Sequence, residues 1–207
     1  MRPDLILFDL GGVLADLGEP AAQMALPISD EQFWATWSTS KVVQAFEVGD
    51  IGADEFLRRF PQELELTESP EFFLQRFGKW QVNLFPAVDT VIRRISEQCG
   101  LALLSNINVL HWQRLRGQSE VFALFEQLFL SFEIGRCKPA NDAFEYVLRN
   151  VSAPLSNIIY LDDLKANIDS ARRLGIPAVQ VQGLSDVCSV LTEHGFDMSF
   201  GADLKLG

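Results

Sequence analysis

Residues 5–17 read LILFDLGGVLADL, an apolar run that ends on one carboxylate, Asp9, and continues into Gly11 and Gly12. A short apolar run without alternation is typical of a strand that is covered on both faces of a parallel sheet. A carboxylate at the end of such a strand is either a solvated loop residue or a reactive group at the edge of the core. The rest of the chain decides between these two interpretations.

Similar apolar runs recur along the chain and alternate with stretches of helical periodicity. The runs cover residues 5–9, 101–105, 128–130, 158–163 and 178–181, and the helical stretches include residues 87–100, 138–150 and 164–177. Strands that alternate with helices predict an α/β fold built on a doubly wound, Rossmann-like parallel sheet.

One segment, residues 19–84, interrupts this alternation because it is rich in Phe, Trp, Glu and Gln and contains several helix-like runs. Ser29 and Gln32 have the spacing of a capping box at a helix start. The segment is therefore predicted to be a small α-helical cap domain whose core includes Trp34, Trp37, Phe46 and Phe56. The α/β core is predicted to consist of residues 1–18 and 85–207.

The composition limits the classes of function. The 207 residues carry a formal net charge of −11, which argues against nucleic acid as the main partner. Charged residues inside the first apolar run argue against a secretory signal, and no uncharged apolar run is long enough for a membrane span. Three cysteines without metal-ligand spacing indicate reduced thiols. We expect a cytoplasmic protein, a monomer or weak homodimer, that binds neither nucleic acid nor membrane.

Polar side chains follow four successive strands of the predicted sheet. In open parallel sheets, ligands bind outside the carboxyl ends of the strands, so these side chains are expected to meet at one edge. Each has an ordinary alternative role as a turn, helix cap or solvated loop residue. Four such coincidences at four strand ends favour a functional site made of Asp9, Ser105, Asn106, Lys138, Asp162 and Asp163.

These residue types fit phosphoryl chemistry on a divalent cation. Mg²⁺ prefers hard oxygen ligands, which Asp9, Asp162 and Asp163 offer. The glycines at positions 11 and 12 let backbone N–H groups approach a phosphate closely. Ser105 and Lys138 can hold phosphate oxygens, and a carboxylate such as Asp9 can act as a nucleophile that forms an aspartyl phosphate.

The ordered motifs FDLGGVL, LLSN, CKP and YLDDLKANIDSARRLGI resemble those of the haloacid dehalogenase-like (HAD) hydrolase superfamily. The pattern is similar to subfamily I, which has a helical cap, and to its bacterial alpha-D-glucose-1-phosphate phosphatase-like members. The resemblance implies that Asp9 is the nucleophile and a metal ligand, and that the backbone carbonyl of Gly11 also binds Mg²⁺. It further implies that Asp162 and Asp163 complete the metal site, while Ser105 and Lys138 hold phosphate. We also expect Gly11, Gly12 and Asn106 to bind phosphate, and Lys138 to be catalytic together with Asp9.

One position departs from the usual phosphatase pattern. A second Asp, two residues after the nucleophile, normally acts as general acid and base, but Gly11 occupies that position here. Asp16 lies beyond the turn and is not expected to replace it. Without a carboxylate at this position, substrates with good leaving groups, such as anomeric sugar phosphates, are favoured. The rate is then expected to fall steeply as the pKa of the leaving group rises.

Three functions remain open on the sequence alone. The first is a Mg²⁺-dependent phosphomonoester hydrolase that acts on a small phosphorylated metabolite, a sugar phosphate in particular. The second is a 2-haloacid dehalogenase, whose relatives also lack the second Asp but do not need paired carboxylates in the fourth motif. The third is a non-catalytic protein that binds a phosphorylated ligand. The pair Asp162 and Asp163 favours the phosphatase.

Overall fold

The computed structural model describes residues 2–200, and their central feature is a five-stranded sheet. Every neighbouring pair of strands runs parallel, so the carboxyl ends of the strands lie along one edge. This confirms the predicted doubly wound α/β fold. In spatial order the strands are β5 (Gln127–Leu130), β4 (Gly100–Ser105), β1 (Leu5–Phe8), β6 (Ile158–Asp162) and β7 (Ala178–Gln180).

Strand β1 occupies the centre of the sheet and is buried along its whole length. Its last residue, Phe8, lies opposite Leu103 of β4 on one side and Leu161 of β6 on the other. The strand order reverses at β1, because the chain passes first to β4 and β5 and later to β6 and β7. A crevice at such a switch point is the common ligand site of open α/β sheets.

Successive residues of β1 face opposite sides of the sheet, as the pleat requires. Leu5 and Leu7 belong to a hydrophobic cluster on one face, which α9 (Asn141–Asn150) and α10 (Lys165–Arg173) cover. Ile6 and Phe8 belong to a larger cluster on the other face. That face is covered by α6 (Val88–Ser96), α7 (Val109–Arg116) and α11 (Gly183–Glu193).

The helix predicted over residues 87–100 ends earlier than expected. Helix α6 stops at Ser96, and Gly100, the last residue of the predicted helical stretch, is instead the first residue of β4. A short helix, α8 (Ser131–Ile134), follows β5 directly, and 3₁₀ turns cover Glu120–Leu124 and Leu155–Asn157. Within residues 2–200, no helix has both the length and the apolar character needed to cross a lipid bilayer.

A group of five helices follows β2 (Ala15–Asp16) and precedes β3 (Asn83–Leu84). The two strands pair antiparallel and so bring both ends of the helical segment together. The division into a core and a cap over residues 19–84 stays a prediction, and β3 lies inside the predicted cap. The helices are α1 (Pro20–Gln23), α2 (Asp30–Thr39), α3 (Lys41–Glu47), α4 (Ala53–Glu63) and α5 (Pro70–Phe77).

Aromatic side chains fill the interior of this helical segment. Ser29 and Gln32 form the predicted capping box at the start of α2. Phe46 and Phe56 are buried and stack with ring centroids 4.3 Å apart. Each buried aromatic ring contributes a large apolar area. The rings belong to the same large hydrophobic cluster as Ile6 and Phe8 of β1. This packing holds α2 and α3 above the carboxyl edge of the sheet.

Candidate active site

The side chains predicted at the strand ends lie around one cleft. Asp9 directly follows β1, Ser105 ends β4, and Asp163 follows β6. Together with Lys138, from the loop before α9, they line a cleft of about 1380 Å³ that extends to α2 and α3. The parallel arrangement explains this convergence, because all of these positions follow carboxyl ends of neighbouring strands.

Lys138 is the positive charge at the centre of the site. Its side chain is buried, and its Nζ lies 2.6 Å from Oδ1 of Asp9 and 2.7 Å from Oδ2 of Asp162. Burial alone would lower the pKa of Lys138, but the two carboxylates outweigh burial and raise the pKa above its usual value. The lysine is therefore an ammonium ion that bridges the ends of β1 and β6.

Asp162 is fully buried and both of its oxygens are engaged. Oδ1 accepts hydrogen bonds from the backbone N–H of Leu164 at 2.8 Å and from Nδ2 of Asn167 at 2.9 Å. Oδ2 accepts from Lys138 and from the hydroxyl of Tyr160. Burial would raise the pKa of Asp162, but these donors, Lys138 foremost, hold the pKa below its ordinary value. The carboxylate is charged and fixed in place.

Asp9, Asp162 and Asp163 form a group of carboxylates that could hold a cation. Each offers an oxygen within 4.8 Å of the others. Burial raises the pKa of Asp9 to about 7, opposed by Lys138 and reinforced by Asp162. Burial and the neighbouring Asp162 likewise raise the pKa of Asp163 to about 6. Crowded carboxylates that resist ionisation are stabilised by a divalent cation, so the donor set fits Mg²⁺.

The two glycines of the first motif differ in what they require. Gly12 has a φ of +71°, and a Cβ there would lie 2.5 Å from Oδ2 of Asp163, so only glycine fits. At Gly11 a Cβ would meet the flexible side chain of Leu17 at 3.2 Å. The absence of a carboxylate at Gly11 is thus a feature of this sequence, and the space around the position does not force it.

Ser105 and Asn106 lie beside each other at the end of β4. Both line the cleft, and Ser105 is buried. The side chain of Asn106 accepts from the backbone N–H of Lys138 and donates to its carbonyl, both at 2.8 Å. In this arrangement Asn106 fixes the loop that presents the lysine. The phosphate-binding roles of Ser105 and Asn106 stay predictions.

Two further side chains lie at the site although the sequence did not single them out. Tyr160, on β6, donates its hydroxyl to Asp162 and lies with its ring 5.8 Å from Nζ of Lys138. Glu47, the last residue of α3, lines the cleft from the side of the helical segment. Burial raises the pKa of Glu47 to about 7, opposed by Trp37 and Lys138. Tyr160 is the first residue of the fourth motif, but no role was predicted for it, and Glu47 belongs to none of the four motifs.

The aromatic residues predicted as core of the helical segment divide into two sets. Phe46 and Phe56 are buried there as expected. Trp34 and Trp37 are half-buried: they pack against the same core, as expected, and they also line the cleft. Their rings therefore face the space in which the organic part of a ligand would lie.

Known proteins are similar in sequence to this chain over most of its length. The D-ribitol-5-phosphate phosphatase of Bacteroides thetaiotaomicron is 26% identical over 201 residues, covering 90% of this chain and 96% of that protein. Drimenol cyclase drtB of Aspergillus calidoustus is 25% identical over 191 residues, and the match spans 90% of this chain but only 35% of drtB.

Solved structures share the fold. A HAD family enzyme of Bacteroides thetaiotaomicron, in complex with magnesium and inorganic phosphate, superimposes with a TM-score of 0.73 at 22% identity. The match covers 87% of this chain and 94% of that chain. The model of the family described as haloacid dehalogenase-like hydrolase matches residues 3–175. The resemblance found in the motifs is confirmed at this level: the chain belongs to the haloacid dehalogenase-like hydrolase family.

Proposed function

We propose that the protein is a Mg²⁺-dependent phosphomonoester hydrolase that acts on a small phosphorylated metabolite. The observation that carries the proposal is the contact between Asp9 and Lys138 inside a group of three carboxylates, at the switch point of the sheet. A dehalogenase would not need a cation site beside its nucleophile. The relative named as a D-ribitol-5-phosphate phosphatase, which matches along nearly its whole length, supports the same reaction class.

In this reaction Asp9 attacks the phosphorus atom, and the ester oxygen leaves. The ammonium group of Lys138, which is paired with the carboxylates, then also pairs with the oxygens of the transferring phosphoryl group and stabilises their negative charge. The hydroxyl of Ser105 and the backbone N–H of Gly11 donate hydrogen bonds to the same oxygens, whereas the N–H of Gly12 is already donated to the carbonyl of Ala15 at 2.8 Å. Water then hydrolyses the aspartyl phosphate and restores Asp9.

The residues that would hold Mg²⁺ are Asp9, Asp163 and the backbone carbonyl of Gly11. When bound, Mg²⁺ supplies positive charge to the phosphoryl group and stabilises the ionised carboxylates around it. Asp162 is not one of the proposed ligands, because its oxygens already accept hydrogen bonds from four donor residues. Its main role is to orient Lys138 toward Asp9.

The substrate class that fits the cleft is a sugar phosphate or a similar phosphorylated polyol. The side chains of Ser38, Thr39 and Gln44 line the cleft and can hydrogen-bond to hydroxyl groups. The rings of Trp34 and Trp37 offer flat apolar surface for the carbon face of such a molecule. Apolar pocket walls with a few polar groups are typical of sites for small molecules.

Gly11 supports a second candidate function. Without a carboxylate at that position, Asp9 could attack the carbon of a 2-halo acid, as in the dehalogenases that share this fold. The same gap fits a protein that binds a phosphorylated ligand and does not turn it over. The carboxylates Asp162 and Asp163 favour the phosphatase over the dehalogenase, and turnover distinguishes it from the binding protein.

The test is release of inorganic phosphate from a panel of phosphorylated metabolites, with and without Mg²⁺. The panel includes α-D-glucose 1-phosphate, D-ribitol 5-phosphate and an acyl phosphate. We expect Mg²⁺-dependent release that Asp9→Asn abolishes and that Asp16→Asn, which removes an exposed carboxylate outside the cleft, leaves unchanged. Chloride release from 2-chloro acids without phosphate release would establish the dehalogenase. Calorimetric binding of a phosphate ester without either reaction would establish the binding protein.

A further inference from the structure

The proposed hydrolase needs a proton donor that Gly11 does not supply. As the bond from phosphorus to the ester oxygen breaks, the leaving oxygen must gain a proton unless it is a stable anion. Among residues 2–200, the carboxyl groups that line the cleft belong to Asp9, Asp163 and Glu47. The first two lie at the sheet edge and serve as nucleophile and metal ligand in the proposed function. The remaining candidate for the proton donor is Glu47, which lies on the opposite wall of the cleft.

Glu47 is placed by the contact between the helical segment and the sheet. Helix α3, which ends at Glu47, packs against α8. Gly49 fits so closely there that a Cβ on it would lie 2.6 Å from the backbone oxygen of Phe132. One helical turn before Glu47, Gln44 faces Cys137, the residue next to Lys138. Glu47 therefore lines the same cleft as Lys138, whose charge acts on its carboxyl group.

The surroundings of Glu47 favour a carboxyl group that can both give and take a proton near neutral pH. Burial raises its pKa to about 7. The groups that face it are Trp37 on α2 and, from the core, Lys138 and Cys137. Trp37 and Lys138 both lower the pKa, without offsetting burial. A carboxyl group with a pKa near the working pH is well suited to general acid and base catalysis.

Two other titratable groups are poor alternatives. Asp16 is exposed, its carboxylate accepts the backbone N–H of Gly18 at 2.8 Å, and it does not line the cleft. His111 does line the cleft, but burial lowers its pKa to about 3, so the imidazole has no acidic proton at neutral pH. Its Nδ1 is held by Asn108 at 3.1 Å.

We infer that Glu47 is the general acid and base of the reaction, a catalytic residue in the position opposite the nucleophile. This inference rests on the proposed function. In the first step, the Asp9 carboxylate bonds to phosphorus, the ester bond breaks, and the Glu47 proton moves to the leaving oxygen, which departs as an alcohol. In the second step, Glu47 takes a proton from water as the water oxygen attacks phosphorus and the bond between Asp9 and phosphorus breaks. Inorganic phosphate leaves, and both carboxyl groups return to their initial states.

The experiment compares esters with poor and good leaving groups, using the full chain with saturating Mg²⁺. Wild type, Glu47→Gln and the matched control Glu63→Gln, which removes an exposed carboxyl group at the end of α4, are assayed on alkyl phosphates and on p-nitrophenyl phosphate. We expect Glu47→Gln to lose about 100-fold or more of kcat on alkyl phosphates and less than about tenfold on p-nitrophenyl phosphate. Glu63→Gln should behave as wild type on both.

A second variant and a pH profile separate chemistry from misfolding. Gly11→Asp in the Glu47→Gln background restores a carboxyl group at the usual position and should recover part of the alkyl phosphate rate. For wild type, kcat on alkyl phosphates should fall as pH rises above about 7, as expected for an acid that must be protonated. Glu47→Gln should lose this fall.

Each remaining outcome has a definite meaning. Equal losses on both ester classes, or no loss on either, would overturn the inference while leaving the hydrolase in place. A wild-type rate that depends steeply on leaving-group pKa, unchanged in Glu47→Gln, would also overturn it. Absence of phosphate release by wild type from every ester would overturn the proposed function itself, and the inference with it.

Discussion

Replacing Glu47 with Gln should stabilise the protein, and the gain should grow with pH. The carboxyl group holds its proton to about pH 7 in the native state, against an ordinary value of 4.5. Between pH 4.5 and about pH 7, Glu47 is ionised in the unfolded chain and protonated in the folded protein. Stability therefore falls as pH rises through this window, and above pH 7 the whole penalty is present. Gln has the same shape, carries no charge and avoids the penalty.

The size of the effect follows from the two pKa values. Each tenfold change in acidity corresponds to about 1.4 kcal/mol, so ionising Glu47 in the folded protein costs about 3 kcal/mol at most. The carboxyl group is half-buried and keeps some contact with water, which lowers this figure. Linkage therefore predicts a gain for Glu47→Gln that is below about 1 kcal/mol at pH 5 and that rises above pH 8 toward a limit of about 3 kcal/mol without reaching it.

Urea unfolding at pH 5 and pH 8.5 measures the difference directly. The buffers contain EDTA, so that cation binding at the sheet edge does not contribute, and Glu63→Gln serves as the control for loss of one charge. The midpoint of Glu47→Gln should exceed that of wild type by more at pH 8.5 than at pH 5, with an unchanged slope. An equal shift at both values, or a loss of stability at pH 8.5, would refute a carboxyl group that resists ionisation.

Four further variants test the rest of the site. Gly12→Ala forces a side chain into a left-handed conformation against Asp163, and we expect a loss of about 1–2 kcal/mol in urea unfolding. Tyr160→Phe removes one donor from the buried carboxylate of Asp162 and should lower stability by about 1–2 kcal/mol, again in urea; no change would mean that the other donors compensate. Asp163→Asn should raise the Mg²⁺ concentration needed for half-maximal phosphate release about tenfold or more, while Asp162→Asn should mainly lower the maximal rate; the reverse order would place the cation on Asp162.

The sheet and the meeting of its strand-end side chains could be predicted because strand ends in a parallel sheet share one edge whatever the details of packing. An apolar run that ends on Asp9, and another that ends on Asp162, are therefore informative without knowledge of any contact between them. Helix ends were less predictable. Gly100 looks like a helix stop, but it pairs with Leu5 in the sheet, and tertiary pairing outweighs the local preference.

Glu47 and Tyr160 could not be predicted for a different reason. Tyr160 lies inside an apolar strand, where its ring is an ordinary core residue, and only the side-chain geometry shows its hydroxyl against Asp162. Glu47 lies 38 positions after Asp9 in the chain. Its place in the cleft depends on how α3 packs on α8, which no local pattern encodes.

The two walls of the cleft differ in how each holds its charged groups. On the sheet side, Lys138, Asp162 and Asp9 hold one another by short ion pairs within a rigid sheet. On the helical side, Glu47 is held by the packing of one short helix, so a small movement of α3 changes its distance from Asp9 and its exposure to water. Binding energy from the organic part of a substrate against Trp34 and Trp37 could fix that movement. The rate of the proton transfer would then depend on groups of the substrate that are remote from phosphorus, and truncated substrates should lose kcat as well as affinity.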